Sequence, residues 1–81
     1  MAVRNSLISH LGLPVSNAFF RNESTGEAVF GAGTSRVMLN VNVGDTITAT
    51  YNYPGESKIY TGNIVVTQAM LQYTGVNIWI R

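Results

Sequence analysis

Val37-Met-Leu-Asn-Val-Asn-Val43, then Gly44-Asp45, then Thr46-Ile-Thr-Ala-Thr-Tyr-Asn-Tyr53 is the stretch that decides the fold class. In the first run Val37, Leu39, Val41 and Val43 fall on one side, and Met38, Asn40 and Asn42 on the other. In the second, Ile47, Ala49, Tyr51 and Tyr53 alternate with Thr46, Thr48, Thr50 and Asn52. A period of two marks a strand with one dry face, because successive side chains of an extended backbone point to opposite sides of the sheet. Gly44-Asp45 is a turn signal, and an Asp there suits bonding to nearby backbone N–H groups. The two runs are therefore expected to pair as a hairpin with an outer ladder of Asn and Thr.

Working outward, Pro54-Gly55-Glu56-Ser57 reads as a tight turn, since Pro presets φ and Gly permits a positive one. Lys58 to Thr67 resumes β-rich sequence, with Gly62 suggesting a bulge or a break into two short strands. In the last run Val76, Ile78 and Ile80 alternate with Asn77, Trp79 and Arg81. Toward the N-terminus, Val15 to Asn22 is expected to be a strand, Glu23-Ser24-Thr25-Gly26 a turn, Glu27 to Gly31 a short return strand and Gly31 to Ser35 a connection. Gln68 to Tyr73 is too short for an isolated helix and is expected to continue a strand or make a single turn. Ser6 to Leu11 suits a short amphipathic turn or an arm docked on a neighbour, ended by Pro14. Turn signals at about every 8 to 12 residues predict an all-β chain. We expect one domain over residues 1–81, a small six- or seven-stranded antiparallel β-sandwich with residues 1–12 as an N-terminal arm.

A chain of 81 residues buries a modest share of its unfolded surface, so stability is thin. Cys is absent, which removes disulfides as a support and fits synthesis in a cytoplasm. Only 11% of residues are charged and the net charge is +1, whereas Asn and Thr together supply sixteen residues. Such a surface is wet but weakly self-repelling, which suits a subunit that packs against others. Arg4, Arg21, Arg36, Lys58 and Arg81 are scattered, so no basic patch for nucleic acid is expected. No apolar run approaches the length of a membrane helix, and the N-terminal segment, broken by Ser9, His10 and Gly12, is a poor signal peptide.

Nucleophilic catalysis requires Ser, Thr or Cys beside an oriented base. His10 is the single imidazole and lies in the least regular part of the chain, while Glu23 and Glu27 flank a turn where carboxylates are solvated. No metal-ligand spacing is present, and Gly31-Ala-Gly-Thr-Ser35 lacks the Lys of a phosphate loop. Asn22-Glu-Ser24 matches a glycosylation acceptor pattern, with no secretory signal to accompany it. We therefore expect no catalytic residues, no metal and no cofactor. The candidate contact residues are Trp79, Tyr60 and Tyr73, together with Leu7, Ile8 and Leu11 of the arm. Trp79 lies opposite the aliphatic side of its strand: either both sides of a short central strand are buried, or Trp79 faces outward as an interface anchor or a sugar-stacking platform.

Leu13-Pro-Val-Ser-Asn-Ala, Asn22-Glu-Ser-Thr-Gly-Glu, Leu39-Asn-Val-Asn-Val-Gly-Asp-Thr-Ile and Tyr51-Asn-Tyr-Pro-Gly, in that order, resemble the carboxypeptidase regulatory-like, prealbumin-like β-sandwich domains. The resemblance implies a seven-stranded sandwich acting as a structural or adhesive accessory, with no active site to carry over. In size and composition the chain is also similar to small virion proteins of tailed bacteriophages, such as capsid decoration or tail components. The expected function is that of a non-enzymatic structural protein, a homo-oligomer or part of a larger assembly such as a virion. A carbohydrate-binding or adhesion module using Trp79, Tyr51, Tyr53 or Tyr60 is the alternative.

Overall fold

The computed structural model describes residues 2–8, 15–34, 36–72 and 76–81. The strands are β1 (Ala2–Ile8), β2 (Phe19–Asn22), β3 (Ala28–Phe30), β4 (Arg36–Asn40), β5 (Thr46–Asn52), β6 (Ile59–Val65) and β7 (Val76–Trp79). A single 3₁₀ turn, Met70–Gln72, precedes β7. The fold class is all-β, as the period-two alternation predicts. The strands form a three-stranded sheet ordered β4-β1-β7 and a four-stranded sheet ordered β3-β2-β5-β6.

The expected pairing of the 37–43 and 46–53 runs does not occur. β4 pairs with β1, whereas both edges of β5 are occupied, by β2 and β6. Between them the chain passes from one sheet to the other. Val41 is buried, Gly44 adopts a φ of +92°, and the connection is tied to the end of β6 by Gly44 N–H to the Val66 carbonyl and Val66 N–H to the Asp45 carbonyl, each 2.8 Å. The same alternation that marks a strand leaves its partner undetermined, and here the non-local pairing won.

The N-terminal arm is also corrected over residues 2–8, which are a strand paired on both sides. β1 runs antiparallel to β4 and parallel to β7, so the three-stranded sheet is mixed and the expectation of a wholly antiparallel fold fails there. No local hairpin dictates the direction of either pairing, because the partners lie some 30 or more residues away in the chain. Gly62, in turn, is not a break: β6 is continuous and in regular register with β5 through Ala49–Gly62. A Cβ at Gly62 would fall on the Trp79 carbonyl. Glycine there lets the β7 backbone cross close over β6. Just beyond, Thr61 and Arg81 exchange backbone hydrogen bonds of 2.9 and 3.2 Å, so the segment after β7 reaches from the three-stranded sheet to the edge strand of the other.

One apolar core is shared by both sheets. Phe20, Ile47 and Ala49 enter it from the four-stranded sheet, Val37, Leu39 and Ile78 from the three-stranded sheet, and Ala18, Val41, Val66 and Ile80 from the connections. Each fully buried side chain of the larger kinds stabilises the fold by about 1.5 to 3 kcal/mol. Among the described residues one polar side chain, Asn22, is buried with these apolar groups. Its Nδ2 donates to the Asn40 carbonyl (3.1 Å) and to Asp45 Oδ2 (2.9 Å), and its Oδ1 accepts from Ser24 N–H (3.0 Å). Asp45 Oδ2 also accepts from Asn42 N–H (2.9 Å), the turn bond its position in the sequence suggests. The Asn22 amide and the Asn42 N–H hold the Asp45 carboxyl below the usual aspartate range. One amide thus fastens the end of β4 to the turns after β2 and before β5.

Candidate interaction face

Inward positions of the four-stranded sheet are filled by the core, so its opposite side is set by the alternate residues. The register aligns Phe30, Phe19, Thr50 and Thr61 in one row, and Ala28, Arg21, Thr48 and Asn63 in the next. Asn52 and Ile59 form a cross-strand pair at the end. Four large apolar groups stand uncovered on this side, Val65 (55%) at the far end of β6 and three toward the other end: Phe19 is 41% exposed, Phe30 58% and Ile59 58%. The two rings are direct cross-strand partners, which places them side by side. With Asn17, Thr50, Tyr51 and Asn52, these three residues line an open depression of about 260 Å³.

The backbone around the depression is held by local bonds. Asn17 adopts a φ of +62°, a left-handed conformation that Asn tolerates better than most residues. Its N–H donates to the Gly31 carbonyl (3.0 Å) and its Oδ1 accepts from Gly33 N–H (2.6 Å), which fixes the segment before β2 beside the end of β3. A Cβ on Gly31 would meet the Thr34 carbonyl oxygen at 2.8 Å and Val37 Cγ1 at 3.1 Å, so this joint is tight. At the other end, Asn52 with its amide nitrogen toward the 53–56 turn donates to the Tyr53 and Glu56 carbonyls, at 2.9 and 3.1 Å. The lining carries no charged side chain. Arg21, in the neighbouring row, is paired with Glu23 at 3.1 Å.

The residues singled out from sequence are distributed differently. Trp79 is 52% exposed on the side of β7 opposite Ile78, so of the two readings the sequence leaves open the outward one holds. Met38, on β4 of the same sheet, is 53% exposed, but β1 lies between the two strands and its register sets Met38 beside Arg4 and Trp79 beside Ile8. Leu7 holds the register position beside Ile78. Leu11, Tyr73 and His10 lie outside the described residues. Tyr60 is half-buried against the core and belongs to a tyrosine cluster: Tyr53 packs edge-on against both Tyr51 (4.7 Å) and Tyr60 (4.9 Å). Lys58 Nζ lies 4.6 Å from the Tyr60 ring centre, and the Tyr60 hydroxyl donates to Glu56 Oε1 at 3.4 Å. Burial, and then the Glu56 charge, push the Tyr60 phenol above its ordinary range.

Phe19, Phe30 and Ile59 were not marked by the sequence pattern. A signal for the first did exist. Phe19 and Phe20 are adjacent on one strand, and adjacent side chains of a strand cannot share a face, so one ring had to look away from the core. The glycosylation pattern at Asn22 is closed, because the amide it would modify is buried and bonded.

Among the described residues, no three His, Cys, Asp or Glu side chains cluster to hold a metal ion, and no helix is long and apolar enough to cross a membrane. No family model, no curated protein and no solved structure matches this chain.

Proposed function

We propose that this chain is a non-enzymatic interaction module whose two sheets are the layers of a small β-sandwich, and that it contacts protein partners through the outer face of the four-stranded sheet. The observation that carries this is that Phe19 and Phe30 stand side by side and, with Ile59 across β5, line one open depression whose walls carry no charged side chain. Exposed apolar groups in contiguity mark contact surfaces, whereas single ones are ordinary. Three of the four carboxylates are engaged in local contacts, which supports a non-catalytic role: Glu23 pairs with Arg21, Asp45 is engaged by Asn22 and Asn42, and Glu56 accepts from Tyr60. Low charge and an Asn- and Thr-rich surface suit a subunit of an assembly, and by analogy of size and composition a virion is one such assembly. The tyrosines offered for sugar stacking are packed edge-on against one another, which disfavours that use of them.

Photo-crosslinking in the native source tests the proposal. A benzophenone side chain at position 30 is expected to give a protein adduct, and the same group at position 38 is not. Adducts from position 38 alone, or from neither, would refute the choice of face.

A further inference from the structure

We infer that the bridge between Thr61 and Arg81 is a guard on the edge of β6: it holds the segment after β7 across a strand edge that would otherwise pair with a strand of another molecule. This edge is distinct from the contact face proposed above.

The direction of the backbone groups comes first. β6 ends the strand order of its sheet, with β5 as its one neighbour there. In an antiparallel pair, alternate residues turn both N–H and C=O toward the partner strand, and the residues between them turn both away. Val66 and Asp45 continue the register of β6 with β5, and Val66 N–H donates to the Asp45 carbonyl at 2.8 Å. Tyr60, Gly62 and Ile64 therefore face β5, whereas Ile59, Thr61, Asn63 and Val65 face away from it. The bonds of 2.9 and 3.2 Å with Arg81 agree, since Thr61 spends both of its groups on the side opposite β5. The outward backbone groups of Ile59, Asn63 and Val65 have no partner among the described residues.

An edge of that kind is a template for another strand, and proteins blunt it with Pro, charge, a bulge, brevity or a covering segment. Ile59-Tyr-Thr-Gly-Asn-Ile-Val65 contains no Pro and no charged residue, and its register with β5 runs without a bulge. β3, at the opposite edge of the sheet, is three residues long and is protected by its brevity; β6 is seven. Cover is what remains, and Arg81 supplies it. It occupies the place that the backbone of an added strand would take, about 4.8 Å from β6. With that place filled, the edge offers one outward residue, Ile59, on one side of Thr61 and two, Asn63 and Val65, on the other. The approach to the bridge is fixed by the core: Ile80 is wholly buried, and the β7 backbone crosses where Gly62 lacks a side chain. Ile80 holds the segment near the edge, and the two bonds hold Arg81 on it.

Arg81→Pro tests this, because Pro has no N–H to give to the Thr61 carbonyl. Sedimentation velocity and amide hydrogen exchange are recorded for wild type and variant over one range of concentrations. In the wild type the Asn63 and Val65 amides are expected to exchange fast, and those of Thr61 and Arg81 more slowly. The variant should associate at concentrations where the wild type does not, with exchange at the Asn63 amide slowed at least about tenfold as it does so. Adding Asn63→Pro removes an outward N–H, leaves the bonds to β5 in place, and should abolish the gain. Circular dichroism establishes which variants are folded; deletion of Arg81 stands in for Arg81→Pro, and Asn63→Lys for Asn63→Pro, where either is not. A folded variant that associates no more than the wild type, or a gain that survives the change at position 63, would overturn the inference. So would exchange at Thr61 and Arg81 as fast as at Asn63 in the wild type.

Discussion

Phe19 and Phe20 are chemically identical neighbours on β2, yet one is 41% exposed on the outer face of the four-stranded sheet and the other is wholly buried in the core. The inner face is completed by the other sheet, through Leu39, Val37 and Ile78, and by the backbone of β7 crossing at Gly62. The outer face has the same strands, the same register and comparably large apolar groups, but among the described residues none covers Phe19, Phe30 or Ile59. A strand has two sides, and burial of one says nothing about what the other is for. Here the inner side supplies stability, and the outer side is the one we propose for contact.

Truncating the two rings separates these roles most sharply. Phe20→Ala should cost about 3 to 5 kcal/mol of stability in urea unfolding, from lost transfer energy and the cavity left behind. Gly62→Ala follows at about 2 to 4 kcal/mol, since a Cβ there meets backbone, which cannot rotate away. Asn22→Ala should cost about 1 to 3 kcal/mol, because the Asn40 carbonyl and the Asp45 carboxylate lose the donor that joins them.

Acid acts on the same fastening. The native pKa of Asp45 is lowered, so its contribution is present above the unfolded aspartate pKa of about 3.9 and is lost as pH falls through the depressed native value. Urea midpoints measured between about pH 6 and pH 2 should fall at the acid end in the wild type, and fall less in Asp45→Asn. The smallest expected change is that of Phe19→Ala, about 1 kcal/mol or less in stability. An equal loss for Phe19→Ala and Phe20→Ala would erase the distinction between the faces.

How much of this was legible in the sequence depends on the range of the interaction involved. Alternation over 37–53 marked two strands and most of the inward residues, since side-chain direction is a local consequence of extended backbone; it failed at Val43, which is 53% exposed because β4 ends at Asn40 and the chain is no longer a strand there. It did not give partners: β4 turns away from β5 because of pairings to β1, β2 and β6, which no short stretch encodes. Gly62 reads as a break when only its own strand is in view, and as a passage for another backbone once β7 is placed above it. Residues 2–8 lack a clean period, and their strand is defined by neighbours on both sides. Trp79 was visible because its strand alternates strictly. The Phe19–Phe30 pair was harder to see because it depends on the register between β2 and β3 as well as on the doublet at 19 and 20.

Ring-proton relaxation by a soluble gadolinium chelate tests the difference between the two faces most directly, with Phe19, Phe20 and Phe30 observed in the free chain. The predicted result is that Phe20 is protected while Phe19 and Phe30 are relaxed strongly. Rings at 19 and 30 as well protected as Phe20 would contradict it.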